Sequence, residues 1–194
     1  MDDDAALMQR VAGGETELFS VIVGRYEKRI YNFFVRTTGN REDAEDLTQQ
    51  LFLNLYSAAS RYKPESSFKT FIYRIASNLT VSFSRKQKLR RSLSLERLSE
   101  TGFEPVAGRH GADPAREYEQ RELGRRYRDA LLRLPAEWRT ALELRVGREL
   151  SYGEIAEAMG KSVSAVESIL FRARERLAEE MKEGRRPRGG RGGR

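Results

Sequence analysis

Apolar residues in this chain recur every three to four positions, and no run alternates between apolar and polar residues as a half-buried strand would. One such series occupies one face of a helix predicted from about Glu15 to Thr38. Its members are Leu18, Phe19, Ile22, Tyr26, Ile30, Phe33 and Phe34. This periodicity predicts an all-α fold.

Residues 1–91 form a first helical block. A short helix is predicted from about Asp4 to Ala12, and Gly39 suits the left-handed end of the long helix that follows. Asn40 is predicted to cap a third helix, whose buried stripe is Ala44, Leu47, Leu51, Leu55, Ala58 and Tyr62. After Pro64, Ser66 is expected to cap a fourth helix, whose inner face is Phe68, Phe71, Ile72, Ile75, Leu79 and Phe83. Such helices can bury one common core.

A second helical block is predicted at residues 113–183, beyond a flexible linker at 92–112 where glycine and proline interrupt the pattern. Asp113-Pro114 resembles a cap followed by proline at the first helical position, and that helix should reach about Arg133. Pro135 opens the next helix. The Arg/Gly-rich tail at 184–194 has no apolar face and is expected to be disordered. The chain is therefore expected to form two small helical domains.

The second block contains a helix-turn-helix pattern. Ser151 and Glu154 have the spacing of a capping box, and Gly160 to Ser162 form a turn with Ser162 as the next cap. The following helix should bury Val163, Val166, Ile169, Leu170, Ala173 and Leu177. Its outer face carries Ser164, Glu167, Ser168, Phe171, Arg172 and Arg176. In this motif the second helix lies in the major groove of DNA, whereas the alternative interpretation is a helical hairpin with a solvated charged face.

A second candidate nucleic-acid surface lies near the fourth helix. Aromatic residues there are interleaved with lysine and arginine, a composition that suits stacking on unpaired bases beside a phosphate backbone. Most of these aromatics have core spacing and are expected to be buried. Tyr62, Lys63 and Asn78 are the better candidates for contact, because the Asn78 amide has both a donor and an acceptor for a base edge.

Composition excludes several other kinds of function. The chain has no Cys and one His, His110, so neither a zinc site nor a thiol chemistry is expected, and no cofactor is predicted. No apolar run approaches bilayer length and the start is acidic, so we expect a cytoplasmic protein without membrane insertion. The net charge of +7 favours a polyanionic partner, but five arginines of the tail supply most of it. The placement of charge is therefore more informative than its total.

Three stretches together resemble the extracytoplasmic-function sigma factors of bacterial RNA polymerase. They are residues 43–56 (DAEDLTQQLFLNLY), residues 66–78 (SSFKTFIYRIASN), and the segment from Leu134-Pro135 to Leu177. The resemblance implies a sigma factor that binds core RNA polymerase and promoter DNA, both as duplex and as melted single strand. It also implies an anti-sigma protein as a regulator, and no enzymatic activity.

The resemblance further implies roles for particular residues. Core polymerase binding is expected at Asp46, Gln49, Gln50, Leu53 and Tyr56. The minus-ten element is expected to contact Tyr62, Lys63, Ser66, Asn78, Arg85 and Lys86. The minus-thirty-five element is expected to contact Ser162, Ser164, Glu167, Ser168, Phe171, Arg172 and Arg176. The chain departs from the family at three positions. Family members often have an acidic residue at the place of Gln50, Trp at the place of Phe71 and a basic residue at the place of Glu167.

Three alternatives are distinguishable by sequence. A stand-alone helix-turn-helix regulator would leave the polar strip around Gln49 and the segment from Tyr62 to Asn78 without a purpose. An enzyme would need a catalytic constellation, and the chain has no Gly-rich phosphate loop and only one His. An RNA-binding adaptor is suggested only by the Arg/Gly tail, which also fits a nonspecific electrostatic extension.

Overall fold

The computed structural model describes residues 3–62, 67–93 and 114–183. Within these ranges every regular element is helical, and none of the helices is long and apolar enough to cross a bilayer. The α-helices are α1 (Asp3–Ala12), α2 (Phe19–Thr38), α3 (Arg41–Ala58), α4 (Phe68–Leu93), α5 (Pro114–Arg133), α6 (Ala136–Leu142), α7 (Tyr152–Met159) and α8 (Val163–Glu183). The predicted all-α fold is confirmed.

The ends of the helices follow local chemistry, with two corrections. Gly39 ends α2 at a φ of 77°, and the Asn40 side chain accepts a hydrogen bond from the backbone N–H of Asp43, as predicted. The predicted long helix from Glu15 begins instead with a separate 3-10 turn at Thr16–Leu18. The cap of α4 is Ser67 and not Ser66, because Ser67 Oγ accepts the Thr70 N–H at 3.1 Å.

The first domain packs α1 to α4 around an aromatic core. Ile22, Ile30, Phe33, Phe34, Leu51, Leu55, Phe68 and Ile72 are fully buried. The Tyr26 ring meets the edge of Phe68 at 5.3 Å, and its hydroxyl donates to Asp4 Oδ2 at 2.6 Å, which ties α1 to α2. Burial of each large side chain contributes roughly 1.5–3 kcal/mol, so this core supports the surfaces of α3 and α4.

The second domain consists of α5 to α8. Helix α6 runs into one π-helical turn at Glu143–Gly147 before α7 begins, and α8 packs against α5, α6 and α7. Of the predicted inner face of α8, Val166, Leu170 and Ala173 are buried. The prediction for Val163 was wrong, since this first residue of α8 is 46% exposed. Side chains of a helix lean towards its N-terminus, and Val163 has no preceding turn of α8 to help cover it.

The two domains pack against each other, an arrangement that the sequence left open. Helix α4 contacts α6 and α7, and α2 contacts α5 and α6. Buried apolar side chains of both domains form one continuous cluster. Most of the predicted linker at 92–112, Asp113 and the tail at 184–194 lie outside the described residues.

Candidate nucleic-acid interface

The helix-turn-helix is built by two successive caps. Ser151 Oγ accepts the Glu154 N–H, and Glu154 Oε2 accepts the Ser151 N–H at 2.8 Å, which completes the predicted capping box. These hydrogen bonds from the Ser151 backbone and side chain lower the pKa of Glu154. Gly160 ends α7 in the left-handed region at a φ of 63°, and Ser162 Oγ accepts the Ala165 N–H at 3.2 Å to cap α8. The turn therefore holds α8 at a defined angle to α7.

The outer face of α8 is presented to solvent. Ser162, Ser164, Glu167, Ser168, Phe171 and Arg172 are all exposed, and Phe171 is 62% exposed although it is a large apolar side chain. The Ser168 hydroxyl donates to the carbonyl of Ser164 at 3.0 Å. This face combines hydroxyls, one carboxylate, one guanidinium and one aromatic ring, which are groups that read base edges in a major groove.

The two arginines predicted on α8 differ in their surroundings. Arg176 forms ion pairs with Glu179 at 3.1 Å and with Glu180 at 2.6 Å. Glu180 is buried and also accepts a hydrogen bond from Arg133, so Arg176 belongs to an acidic cluster within the domain. Arg172 has no hydrogen bond or ion pair within the described part of the chain. Its charge is therefore available to a ligand, whereas that of Arg176 is already balanced.

A second candidate surface is a groove between α3 and α4. Its volume is about 350 Å³, and its lining is Asn54, Ala58, Phe71, Arg74, Ile75, Asn78, Leu79 and Ser82. The Asn78 side chain is exposed in this groove, and the Arg74 guanidinium lies 5.2 Å above the Phe71 ring. A polar amide beside an aromatic and a guanidinium can pair with the edge of a planar ligand and stack on its face.

Tyr62 lies inside the protein. It is 8% exposed, and its ring packs on Phe71 at 4.9 Å and on Phe68 at 6.1 Å. Its predicted burial is confirmed, but Tyr62 follows a 3-10 turn at Ala59–Arg61 and lies beyond the end of α3. The ring supports the groove without facing solvent. Lys63 and Ser66 lie outside the described residues. Arg85 and Lys86 are exposed further along α4, where they extend the surface with positive charge.

Three polar groove residues were missed by the sequence analysis, and four apolar ones had been predicted as core: Ala58, Phe71, Ile75 and Leu79. Arg74 and Ser82 lie four residues before and after Asn78, so helical spacing alone places them on the same face of α4. That signal was available in the sequence. Asn54 comes from α3, and only the packing of α3 on α4 brings it to the groove.

A third surface lies on α3. Asp46, Gln49, Gln50, Leu53 and Tyr56 are all exposed and fall within about a third of the helix circumference at 3.6 residues per turn. Leu53 is 63% exposed at the centre of this strip, and Tyr56 stacks edge-on against Phe19 at 5.1 Å. The Gln50 amide donates to Asn54 Oδ1 at 2.8 Å. An exposed leucine ringed by polar groups is typical of a protein-binding surface.

Comparison with known proteins assigns these features to a family. The family model of Sigma-70 region 2 matches residues 22–90, and that of Sigma-70 region 4 matches residues 124–177. An ECF RNA polymerase sigma-E factor of Haemophilus influenzae is 34% identical over 181 residues, which are 92% of this chain and 95% of that protein. The chain belongs to the ECF sigma factors. The sigma factor SigW of Bacillus subtilis is similar too, at 30% identity over 178 residues, 91% of this chain and 95% of SigW.

Solved structures share the fold of this sigma factor. The sigma factor RpoE of Bartonella quintana, in complex with the anti-sigma factor NepR, matches with a TM-score of 0.67 and 22% identity, over 86% of this chain and 98% of RpoE. CnrH, in complex with the cytosolic domain of CnrY, matches with a TM-score of 0.65 and 22% identity, over 94% and 99% of the two chains. The groove on α4 and the strip on α3 lie within the region 2 match, and α7 and α8 lie within the region 4 match. The sigma factor thus acts in transcription initiation.

Proposed function

We propose that this sigma factor directs promoter-specific initiation through three separate surfaces. The outer face of α8 reads the minus-thirty-five element, the α3/α4 groove captures a melted base of the minus-ten element, and the strip on α3 binds core RNA polymerase. The observation that carries the proposal is that, among the residues that the structure describes, each predicted set apart from buried Tyr62 and ion-paired Arg176 lies exposed on its own surface.

For the minus-thirty-five element, the supporting feature is the unpaired Arg172 beside exposed Phe171. An arginine on a recognition helix can donate two hydrogen bonds to guanine or hold a phosphate. Phe171 can contact the methyl group of a thymine. Glu167 on the same face can accept a hydrogen bond from the N4 amino group of cytosine. Because its carboxylate is negative, it would repel a nearby phosphate. Arg176 is left out of this proposal because Glu179 and Glu180 hold it.

For the minus-ten element, the supporting feature is the groove around Asn78. Its volume of about 350 Å³ is at the lower end of pockets that hold a small ligand, roughly 300–1,000 Å³. Asn78 provides a donor and an acceptor to the base edge, and Arg74 on Phe71 provides a planar neighbour. Capture of an unpaired base shifts the duplex towards the melted state without ATP. The exposed cations Arg85 and Lys86 would hold the adjoining phosphates.

For core polymerase, the supporting feature is Leu53 with its polar surround. When a partner covers a large apolar side chain that is mostly exposed, the free energy of the complex is lowered. Asp46 and Gln49 supply the polar rim around Leu53. The structurally similar sigma factor RpoE of Bartonella quintana was solved in complex with the anti-sigma factor NepR. We propose an anti-sigma protein for this chain too, and an action in the cytoplasm, where the bacterial chromosome lies.

The decisive experiment is transcription by purified core polymerase on genomic fragments of the source organism, with and without this protein. Discrete transcripts that need the protein support the proposal, and their start sites reveal both promoter elements. Absence of transcripts together with failure to comigrate with core would favour the stand-alone DNA-binding regulator instead.

Three substitutions separate the surfaces. Arg172→Ala should weaken binding to a minus-thirty-five duplex by about 1–3 kcal/mol and leave core binding intact. Gln49→Ala should weaken core binding and leave duplex binding intact, and Asn78→Ala should weaken binding to a melted minus-ten strand alone. Arg121→Ala, an exposed arginine on α5, is the matched control. If each variant lost all three activities equally, the assignment of separate surfaces would be wrong.

A further inference from the structure

The second domain has no net charge, although its helix α8 is proposed to lie in the major groove of DNA. Residues 114–183 contain fourteen Lys and Arg and fourteen Asp and Glu, so their formal charges cancel. The same balance holds within the helix-turn-helix, where residues 151–176 contain four cations and four carboxylates. Contacts with phosphates supply much of the affinity of a protein for duplex DNA. The net charge of this domain provides no such attraction.

Ion pairs further reduce the positive charge that the helix-turn-helix can offer to DNA. Lys161 Nζ lies 2.7 Å from Glu137 Oε1, and Arg176 is held by two glutamates of its own helix. The exposed carboxylates of this motif outnumber the exposed cations outside these ion pairs. The carboxylates are those of Glu157, Glu167 and Glu175, and the cations are Arg172 and Arg174. The surface that meets DNA therefore needs positive charge from elsewhere.

Positive charge is concentrated in the Arg/Gly tail at residues 184–194, which follows α8 directly. The tail contains five arginines and no Asp or Glu, and its other residues are glycine and one proline. The arginines are Arg185, Arg186, Arg188, Arg191 and Arg194. A guanidinium group pairs with phosphate through two parallel hydrogen bonds. The tail thus combines a high positive charge with a group that suits phosphate, and it has no large apolar side chain to bury in a core.

The length of α8 places the start of the tail beside a phosphate backbone. The recognition face lies between Ser164 and Arg172, and α8 continues for eleven more residues, to Glu183. These residues span about 16 Å at about 1.5 Å per residue. The major groove is only about 12 Å wide and about 8.5 Å deep, so a straight helix of this length leaves it and passes a backbone. From there, the eleven residues of the tail reach at most about 40 Å.

We propose that the Arg/Gly tail binds the phosphates of duplex DNA beside the minus-thirty-five element, and so supplies the nonspecific attraction that the second domain lacks. The location beside this element rests on the proposed function of α8. Single-stranded RNA is the other polyanion that arginine and glycine can bind. Duplex DNA is favoured because the tail is joined to the end of the recognition helix, which raises its effective concentration at the duplex.

The tail and α8 then have different tasks. Contacts with phosphates position a protein on DNA but carry no sequence information, whereas contacts with base edges select the sequence. Each phosphate that a cation neutralises releases counterions and adds about 0.9 to the slope of log affinity against log salt. Two tail contacts would therefore contribute about 1.8 to the slope, and five would contribute about 4.5. The sequence preference of the domain would stay the same.

The salt dependence of duplex binding tests this role with the whole 194-residue chain. Wild type is compared with a variant that carries Arg185→Gln, Arg186→Gln, Arg188→Gln, Arg191→Gln and Arg194→Gln. One probe is a short duplex taken upstream of a start site mapped in the transcription experiment, and the other is a scrambled duplex of equal length and composition. The variant should lose at least about 2 from the slope on both probes, so its deficit in affinity should shrink more than about tenfold between about 50 and 200 mM salt.

Two controls separate the tail from charge in general. Lysine at the same five positions keeps the charge and should keep most of the slope. Lys28→Gln with Arg29→Gln removes two exposed cations from α2 of the first domain and should leave the slope unchanged. Arg185→Gln with Arg186→Gln removes the same number from the tail and should lower it. The ratio of affinities for the two duplexes should stay within about twofold of wild type in every variant, because phosphate contacts do not read sequence.

Three results would overturn the inference. They are an unchanged salt slope in the five-glutamine variant, an equal effect of the two α2 substitutions, and a loss of preference for the promoter duplex in the tail variants. A larger loss of affinity for a single-stranded RNA of equal length than for either duplex would assign the tail to RNA instead. If wild type did not prefer the promoter duplex, the proposed function of α8 would fail, while the slope on the scrambled duplex would still decide whether the tail binds phosphates.

Discussion

Gly147→Ala is predicted to destabilise the second domain, against the usual direction of this change. A Cβ at position 147 would lie 2.2 Å from Glu143 Oε1 and 2.5 Å from its Cδ. The carboxylate cannot move freely, because it is buried and paired with Arg148 at 3.1 Å. Glycine in a helix is otherwise about 0.5–1 kcal/mol less favourable than alanine. The sign therefore depends on how firmly Glu143 is held.

The magnitude follows from three contributions. Overpacking of a filled site costs about 1–3 kcal/mol. The helical preference of alanine offsets roughly 0.5–1 kcal/mol of it. If Glu143 were forced away from Arg148, loss of a buried pair would add about 3–5 kcal/mol. We expect a net loss of about 1–2 kcal/mol if the carboxylate adjusts in place, and more if it is expelled.

The assay is urea denaturation followed by the fluorescence of Trp138, the only tryptophan, which lies on α6. Gly153→Ala is the matched control, because a Cβ there meets nothing within 4 Å. That variant should be unchanged or up to about 1 kcal/mol more stable. In a Glu143→Ala background, Gly147→Ala should destabilise the protein less than it does in the wild type. A Gly147→Ala protein as stable as the Gly153→Ala protein would refute the reasoning.

Three further outcomes are expected from chemical denaturation. Ser151→Ala removes the cap of α7 and should cost about 1 kcal/mol, with a weaker minus-thirty-five complex as its functional readout. Glu154 has a lowered pKa, so its ionised form stabilises the fold above the ordinary pKa of about 4.5. That contribution should disappear as pH falls through the lower folded value, so Glu154→Gln should be less stable than wild type at neutral pH and equal to it in strong acid. Leu51→Ala, at a fully buried site, should cost about 2–5 kcal/mol, and a loss below 1 kcal/mol would argue that α3 is loosely packed.

The helices themselves were largely predictable from sequence. The Asn40 cap, the left-handed Gly39 and the Ser151/Glu154 capping box depend on residues within four positions of each other, and all were predicted correctly. The error at Ser66 was a shift of one residue between two adjacent serines, each of which can cap. The exposed face of α8 was also predictable, because periodicity separates inner from outer residues. The predicted burial of Val163 was wrong because the burial of a residue in the first turn of a helix depends on the neighbouring elements and not on periodicity.

The sequence by itself determined the secondary structure, the inner and outer face of most helices, and the motif order that indicates a sigma factor, because each depends on short-range spacing. Only the tertiary structure decided that Asn54 joins Asn78 in one groove, that Glu180 is buried against Arg133 of α5, and that Glu143 pairs with Arg36 of α2. These relations join residues from different helices, and their stability depends on packing and burial that no local pattern encodes. The packing of the two domains against each other is decided at the same level, because the contacts of α4 with α6 and α7 join residues that are far apart in the sequence.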